Sequence, residues 1–289
     1  MTLSHQRAYP VVGAGLGLRN EFFQDYLESP APEVTFLEAA PENWMGVGGP
    51  RGRRFRAYTE RFPFVFHGLS LSIGGPQPLD DAFLRQLKQF LDHHQARCYT
   101  EHLSYTGDDG QLYDLMPIPF TAEAVHYVAA RIRHVQDVLE RRIGMENVSY
   151  YAAPGQEMAE IDFFNAVIEE ADCDVHLDVN NIYVNSINHR YDPNAFLSRL
   201  PGERIMYCHV AGHYVEAEDL RVDTHGADVI DAVWSQLDAA YDQFGVFPSL
   251  LERDFNLRPL ATLRREVRRI ERAQAEAAQR LSQSVGCVA

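Results

Sequence analysis

Cysteine is scarce in this chain: Cys98, Cys173, Cys208 and Cys287 are its four, and none forms a C-x-x-C pair. That argues against a disulfide framework and leaves thiolate metal ligation without support. Positive charge is also short, with 26 Lys plus Arg against 41 Asp plus Glu and a formal net charge of −15. Such a field repels phosphate backbones, so neither nucleic acid nor an anionic membrane is the expected partner. It does not oppose a cationic partner, and carboxylates gathered around a bound cation would add to it. No apolar run reaches the ~20 residues of a membrane span. The opening MTLSHQRAYP lacks the basic-then-apolar pattern of a secretory leader. The expected location is the cytoplasm. Phosphate-binding glycine loops are missing as well. Gly13, Gly15 and Gly17 follow a strand start, but Leu18 stands where a dinucleotide fingerprint needs its third glycine. They read as room for close packing or substrate approach. There is no Walker motif and no serine nucleophile elbow.

What the chain does have is length and alternation. With 289 residues at 46% hydrophobic, it can bury a full core. Apolar, strand-like runs recur at 11–18, 34–39, 64–68, 98–103, 145–150, 175–179, 205–210 and 248–253. Between them lie segments of helical period at 79–95, 121–142, 161–171, 229–244 and 260–281, the second with Thr121 as a plausible cap. Eight strands alternating with helices predict parallel β/α architecture. The expectation is one domain over residues 1–289, a (β/α)8 TIM barrel with a closing helix at about 258–283. A doubly wound open sheet is the alternative.

A barrel demands that functional residues lie at the C-terminal ends of several strands. Here His67 ends the third strand, His102 the fourth, Glu146 lies on the fifth, Asp178 on the sixth, His209 on the seventh and Glu252 on the eighth. Six ionisable groups at matching points of six units are hard to attribute to a solvated surface. Strand alternation puts His176 and Asp178 on one face, and Glu252 and Asp254 on another, while Glu101 and His102 point opposite ways. Asp223 and His225, two apart, both reach one ion from an extended loop. His209 and His213 have helical spacing, but Gly212 favours a loop there. Nitrogen and oxygen donors without thiolate suit a catalytic iron, manganese or zinc centre with open positions. The donors are too many for one ion; bridging carboxylates such as Glu146 and Asp178 would hold two or three.

The plainer readings are these. A buried His176 is more often a support to a ligand than a ligand. His93, His94, His126 and His134 read as helix-surface residues. Asn180, Asn181 and Asn185 read as turn residues, with Asn181 the choice for a weak ligand. Glu38 and Glu42 read as caps or partners of Arg19, outside the metal set.

The strings GLGLR at 15–19, EAAPENW at 38–44, HGLSLSIGG at 67–75, EHLSY at 101–105 and EN at 146–147 resemble the DUF692, or UPF0276, family. So do HLDVNNIYVN at 176–185, HVAGH at 209–213, DTHG at 223–226 and LERD at 251–254. The resemblance covers nearly the whole chain. It implies a (β/α)8 barrel and a multinuclear non-heme iron-dependent oxidative enzyme, as in methanobactin biosynthesis. Such enzymes use iron and dioxygen to modify residues, commonly cysteine, of ribosomally made precursor peptides, giving oxazolone–thioamide or thiooxazole groups. A separate partner protein often helps deliver the peptide. Carried over by motif, His67, His102 and Glu146 hold one iron. Glu146, Asp178, His209 and Glu252 hold a second, with Glu146 bridging. Asn181, Asp223 and His225, with His213, build a third, more labile position. The implied cofactor is two or three irons of mixed ferrous and ferric state, with dioxygen as co-substrate. Asp254 is the candidate catalytic or supporting acid.

Two rivals remain. One is a divalent-metal barrel hydrolase or isomerase, of the abasic-site endonuclease or sugar-isomerase type, which also draws His, Glu and Asp from strand ends. The other is a metal-loaded binding scaffold without turnover.

Overall fold

A computed structural model describes residues 8–108 and 110–286; Cys287 and the first seven residues of the leader reading lie outside these. Eight short parallel strands close into a barrel: β1 (Ala14–Gly17), β2 (Phe36–Ala39), β3 (Phe64–His67), β4 (Tyr99–His102), β5 (Gly144–Glu146), β6 (Asp174–Asp178), β7 (Ile205–Val210) and β8 (Ser249–Leu251). Each strand pairs with the next in chain order, and β8 returns to β1. This is the (β/α)8 TIM barrel, not the open sheet. The longer helices are α1 (Gly49–Arg61), α2 (Asp81–His93), α3 (Ala122–Leu139), α4 (Glu160–Ala171), α5 (Val179–His189), α6 (Asp231–Phe244) and α7 (Leu260–Gly286). Thr121 caps α3 as expected, accepting a hydrogen bond from the Ala124 amide.

The strands are built for burial on both faces. The large apolar cluster lies between strands and helices, with Leu37, Phe64, Phe66 and Val175 fully or almost fully buried. A second, smaller cluster of Val11, Phe36, Val65, Cys98, Met206, Tyr207 and Leu250 forms apart from it. On or directly beside five strands, one of these residues is followed two positions on by a polar one: Phe36 then Glu38, Val65 then His67, Cys98 then Thr100, Tyr207 then His209, Leu250 then Glu252. The period of two keeps both on one face, so an apolar floor carries a polar layer directly above it. Gly15 makes room for that floor, because a Cβ there would lie 2.4 Å from the Phe36 ring.

Register completes the arrangement. Parallel pairing sets His102 beside Glu146, Glu146 beside His176, and Asp178 beside His209. Two antiparallel hairpins, Tyr105–Gly107 with Gln111–Met116 and Tyr214–Ala217 with Leu220–Val222, follow β4 and β7 at the same end of the barrel. Neither was foreseen from the sequence. α5 is a further departure: Asn180, Asn181 and Asn185 sit in a buried helix rather than a turn. The Asp178 side chain caps it through the Asn181 amide, and Asn185 is held by the Tyr150 amide, the Val148 carbonyl and Glu160. Tertiary hydrogen bonds thus outweigh the local turn preference of asparagine.

Candidate metal centre

Three strand ends bring His67, His102 and Glu146 together. The two Nε2 atoms lie 3.0 Å apart, and Glu146 Oε2 lies 3.2 Å from one and 3.3 Å from the other. Two donors bound at right angles to one ion, each at about 2.1 Å, are separated by about 3 Å. This triangle therefore has the spacing of three cis ligands. Around it, ligand-type atoms of His67, Glu146, His176 and His209 lie within 4.8 Å of one another, as do those of Glu38, His209 and Glu252, and those of Asp178, His225 and Glu252.

Hydrogen bonding fixes how the imidazoles are presented. Tyr207 donates to Glu38 at 2.7 Å, so its oxygen accepts from Thr100, whose own oxygen then accepts from His67 Nδ1 at 2.8 Å. That chain pins the Nδ1 proton of His67 and turns Nε2 to the centre. His225 repeats the device, with Nδ1 3.0 Å from Asp254 Oδ2. In His213, Nδ1 faces Asn180 Oδ1 at 2.8 Å, while Asn180 donates its amide to Asp223. Nε2 of His213 is buried without a hydrogen-bond partner, and Nε2 of His225 lies 2.7 Å from Asp223 Oδ1 but not in hydrogen-bonding geometry. Orienting acceptors of this kind accompany most metal-ligating histidines.

Further orphaned atoms gather in the same place. His102 Nδ1, Glu146 Oε2, both nitrogens of His176, Asp178 Oδ2, Asn181 Oδ1, His209 Nδ1 and Glu252 Oε2 are buried and unpaired. His209 Nδ1 and Glu252 Oε2 are 2.8 Å apart, yet not in hydrogen-bonding geometry. Buried polar atoms without partners are costly, and so many at one spot fit a cation as the missing partner.

Protonation tells the same story. Burial alone would depress His67, but the Glu146 carboxylate overrides it and lifts the pKa to about 9. Burial would raise Glu146, yet His67 and His102 hold it well below its usual range. Burial and the neighbouring His67 charge bring His102 down to about 4. Against burial, Glu252 and Glu38 raise His209, while Asp223 and Glu252 raise His225. Asp178 is pushed well up by burial and by the Glu146 and Asp223 carboxylates. Imidazolium protons thus balance a cluster of carboxylates, and a bound metal would take their place.

A cavity of about 300 Å³ opens onto the cluster, with Arg19, Trp44, Arg51, His67, Glu252, Asp254 and Phe255 among its lining. Arg19 spans its wall, donating to Asp254 and to the Arg253 carbonyl. It lies where a Cβ on Gly17 would stand.

Residues 13–275 match the family model of the RiPP precursor modification enzymes MbnB/TglH/ChrH. The chain belongs to this family. Among curated relatives, the UPF0276 protein of Alcanivorax borkumensis is 61% identical over 272 residues, covering 90% of this chain and 91% of its own. That of Shewanella loihica is 58% identical, covering 92% and 95%. Among solved structures, the 3-keto-D-glucoside 4-epimerase YcjR of E. coli matches at a TM-score of 0.59 and 12% identity, over 90% of this chain and 99% of that one. That likeness is one of fold.

Within this family frame, the structure gathers His67, His102, Glu146, Asp178, His209, His225 and Glu252 at one end of the barrel. Asp223 joins through His225 at 2.7 Å, and His213 through Asn180. Asp254 sits between Arg19 and His225, not beside the triangle. Two residues that the sequence reading left out of the ligand set stand among the donors. Glu38 faces inward, accepting from Tyr207 and His209 instead of pairing with Arg19. His176 is fully buried against Tyr207 and grouped with His67, Glu146 and His209. Alternation carried both signals: Glu38 is two residues from inward Phe36, and His176 two from Asp178. Glu42 instead holds the Leu69 amide and the Ser70 hydroxyl. His94 is a correction too. It is buried against Phe55 and Phe90 rather than exposed.

Proposed function

We propose that this chain is a multinuclear non-heme iron enzyme that uses dioxygen to modify cysteine in a ribosomally synthesised precursor peptide, with thiooxazole or oxazolone–thioamide chemistry as the reaction class. One observation carries the reading. In a member of a peptide-modifying family, His67, His102 and Glu146 converge at 3.0–3.3 Å among buried atoms that have no other partner. A donor set of imidazole and carboxylate without thiolate suits iron.

His67, His102 and Glu146 would hold the first ion; Glu146, Asp178, His209 and Glu252 the second; Asn181, Asp223, His225 and His213 a third. Glu146 would serve both ions, with Oε2 facing His67 and Oε1 3.6 Å from His209 Nδ1. Bound iron would supply dioxygen activation and take electrons from the substrate thiolate. The chain's own residues do the rest. Thr100 and Asp254 hold the Nδ1 atoms of His67 and His225, so that Nε2 is the nitrogen each ring offers to an ion. His225 and Arg19 hold Asp254 ionised against burial, and the apolar floor closes the barrel beneath the site against water. Trp44 and Phe255 at the mouth offer apolar surface to the residues flanking a bound cysteine. A partner protein that presents the peptide belongs to the same reading.

The test is anaerobic purification and ferrous reconstitution, followed by incubation with the cysteine-containing peptide encoded beside the gene, and its partner. An oxygen-dependent mass change in the peptide is expected. Stoichiometric zinc without iron or oxygen uptake would instead favour the hydrolase or isomerase reading, and an iron-loaded protein inert towards the correct peptide would favour a scaffold.

A further inference from the structure

In a chain with 15 surplus carboxylates, α1 is a segregated block of positive charge. Arg51, Arg53, Arg54, Arg56 and Arg61 fall within its 13 residues, with Glu60 as the sole acid. Their partners set them apart. Arg51 bonds to Asn20, Arg54 to Gln24 and Arg61 to the Leu27 carbonyl, all neutral oxygens. Arg53 is exposed and has no ion pair or hydrogen bond among the described residues. Only Arg56 meets a carboxylate, Glu60. On α7, by contrast, Arg264 and Arg268 pair with Glu33, Arg269 with Asp231 and Arg280 with Asp242. Apart from Arg56, the positive charge of α1 is thus uncompensated among the described residues, while acids are abundant elsewhere.

Shape adds to charge. α1 buries Phe55, Tyr58 and Thr59, so its arginine face points outward. Between it and α2 lies an open cavity of about 730 Å³ lined by Arg53, Arg56, Gln86, Gln89 and His93, with no carboxylate. Gly46, Gly48 and Gly49 form one wall, and a Cβ on any of them would touch nothing within 4 Å. Trp44 lines this cavity and also the mouth of the metal-type cluster, where Arg51 stands beside it. One surface therefore runs from the mouth, over Trp44 and Arg51, to the arginines of α1.

We infer that this surface docks an acidic segment of the peptide substrate, outside the residues that react. The inference rests on the peptide-modifying reading for the nature of its occupant. The acidic remainder of the protein repels such a segment and steers it to α1, where every guanidinium but that of Arg56 lacks a competing acid among the described residues. Arginine suits the task because its planar fork binds carboxylates with two parallel hydrogen bonds.

Fluorescence anisotropy on the full chain tests this without any turnover. The probes are a fluorescein-labelled cysteine-free peptide of alternating Glu and Ser, its Lys–Ser counterpart and a labelled single-stranded RNA, with inorganic phosphate as competitor. The Glu peptide is expected to bind, to weaken as salt rises, and to lose at least roughly tenfold in affinity when Arg53→Glu and Arg54→Glu are combined. Iron content and thermal midpoint of that variant should match the wild type, which separates a docking defect from failure of the metal reading. Equal binding of the Lys peptide, unchanged affinity in the double variant, tighter binding of RNA, or full displacement by phosphate at equal charge concentration would each overturn the inference.

Discussion

Three imidazoles in this barrel share one arrangement, Nδ1 held by an acceptor and Nε2 outside that hydrogen bond: His67 on Thr100, His213 on Asn180 and His225 on Asp254. His94 shows what the same side chain does without a carboxylate. It is packed between α1 and α2 with Nδ1 on the Thr59 hydroxyl, and burial brings its pKa to about 4. Its unfolded value is about 6.5. Between the two, the unfolded chain binds more protons, so this contribution to stability is full above pH 6.5 and lost as pH falls towards 4. Urea midpoints between pH 7 and 4.5 should accordingly fall more steeply in the wild type than in His94→Gln; parallel slopes would contradict this. The position on α2 made His94 look like surface, because its neighbour His93 is indeed exposed. Only the aromatic packing of Phe55 and Phe90 decides between the two, and a helical period alone does not resolve adjacent residues.

At the scale of elements, Asp178 joins two tasks. Oδ1 caps α5 through the Asn181 amide at 2.7 Å, and Oδ2 is buried without a partner. Asparagine keeps the capping oxygen and loses the charge. In metal-free protein, Asp178→Asn should retain nearly all stability, whereas Asp178→Ala should lose about 1 kcal/mol from the cap. Both should bind less iron. Denaturation in chelator alongside metal analysis separates the effects, and equal destabilisation of the two variants would refute the capping role. α5 itself was illegible in the sequence, since NNIYVN mixes asparagine with β-branched residues and its stability comes from Tyr150, Val148 and Glu160. The two hairpins escaped for a similar reason: their strands are short and largely exposed, so they lack the buried-strand signal. The barrel strands, apolar on both faces, were readable to within a few residues, as were α3 and α7.

For the whole molecule, closure of the barrel explains why residues scattered from Glu38 to Asp254 meet. Parallel register aligns strand ends, and alternation chooses the inward face. Both rules operate on sequence, which is why most of the cluster could be named in advance. What they do not supply is the distance between side chains across the barrel, and this separates the tight triangle of His67, His102 and Glu146 from the looser company of Asp223 and His213. Described residues include no helix long and apolar enough to cross a membrane. The segregated arginines of α1 are likewise visible in sequence as a run, yet the lack of acidic partners for all but Arg56 among the described residues is a property of the fold alone.

The central claim is a multi-iron centre in which Glu146 serves two ions at once. Iron quantification with Mössbauer spectroscopy on anaerobically reconstituted wild type, Glu146→Gln and Asp223→Ala tests it most directly. Two or three irons are expected in the wild type, loss of both main irons in Glu146→Gln, and loss confined mainly to the third position in Asp223→Ala. Equal iron loss in the two variants, or full iron retention in Glu146→Gln, would contradict the account.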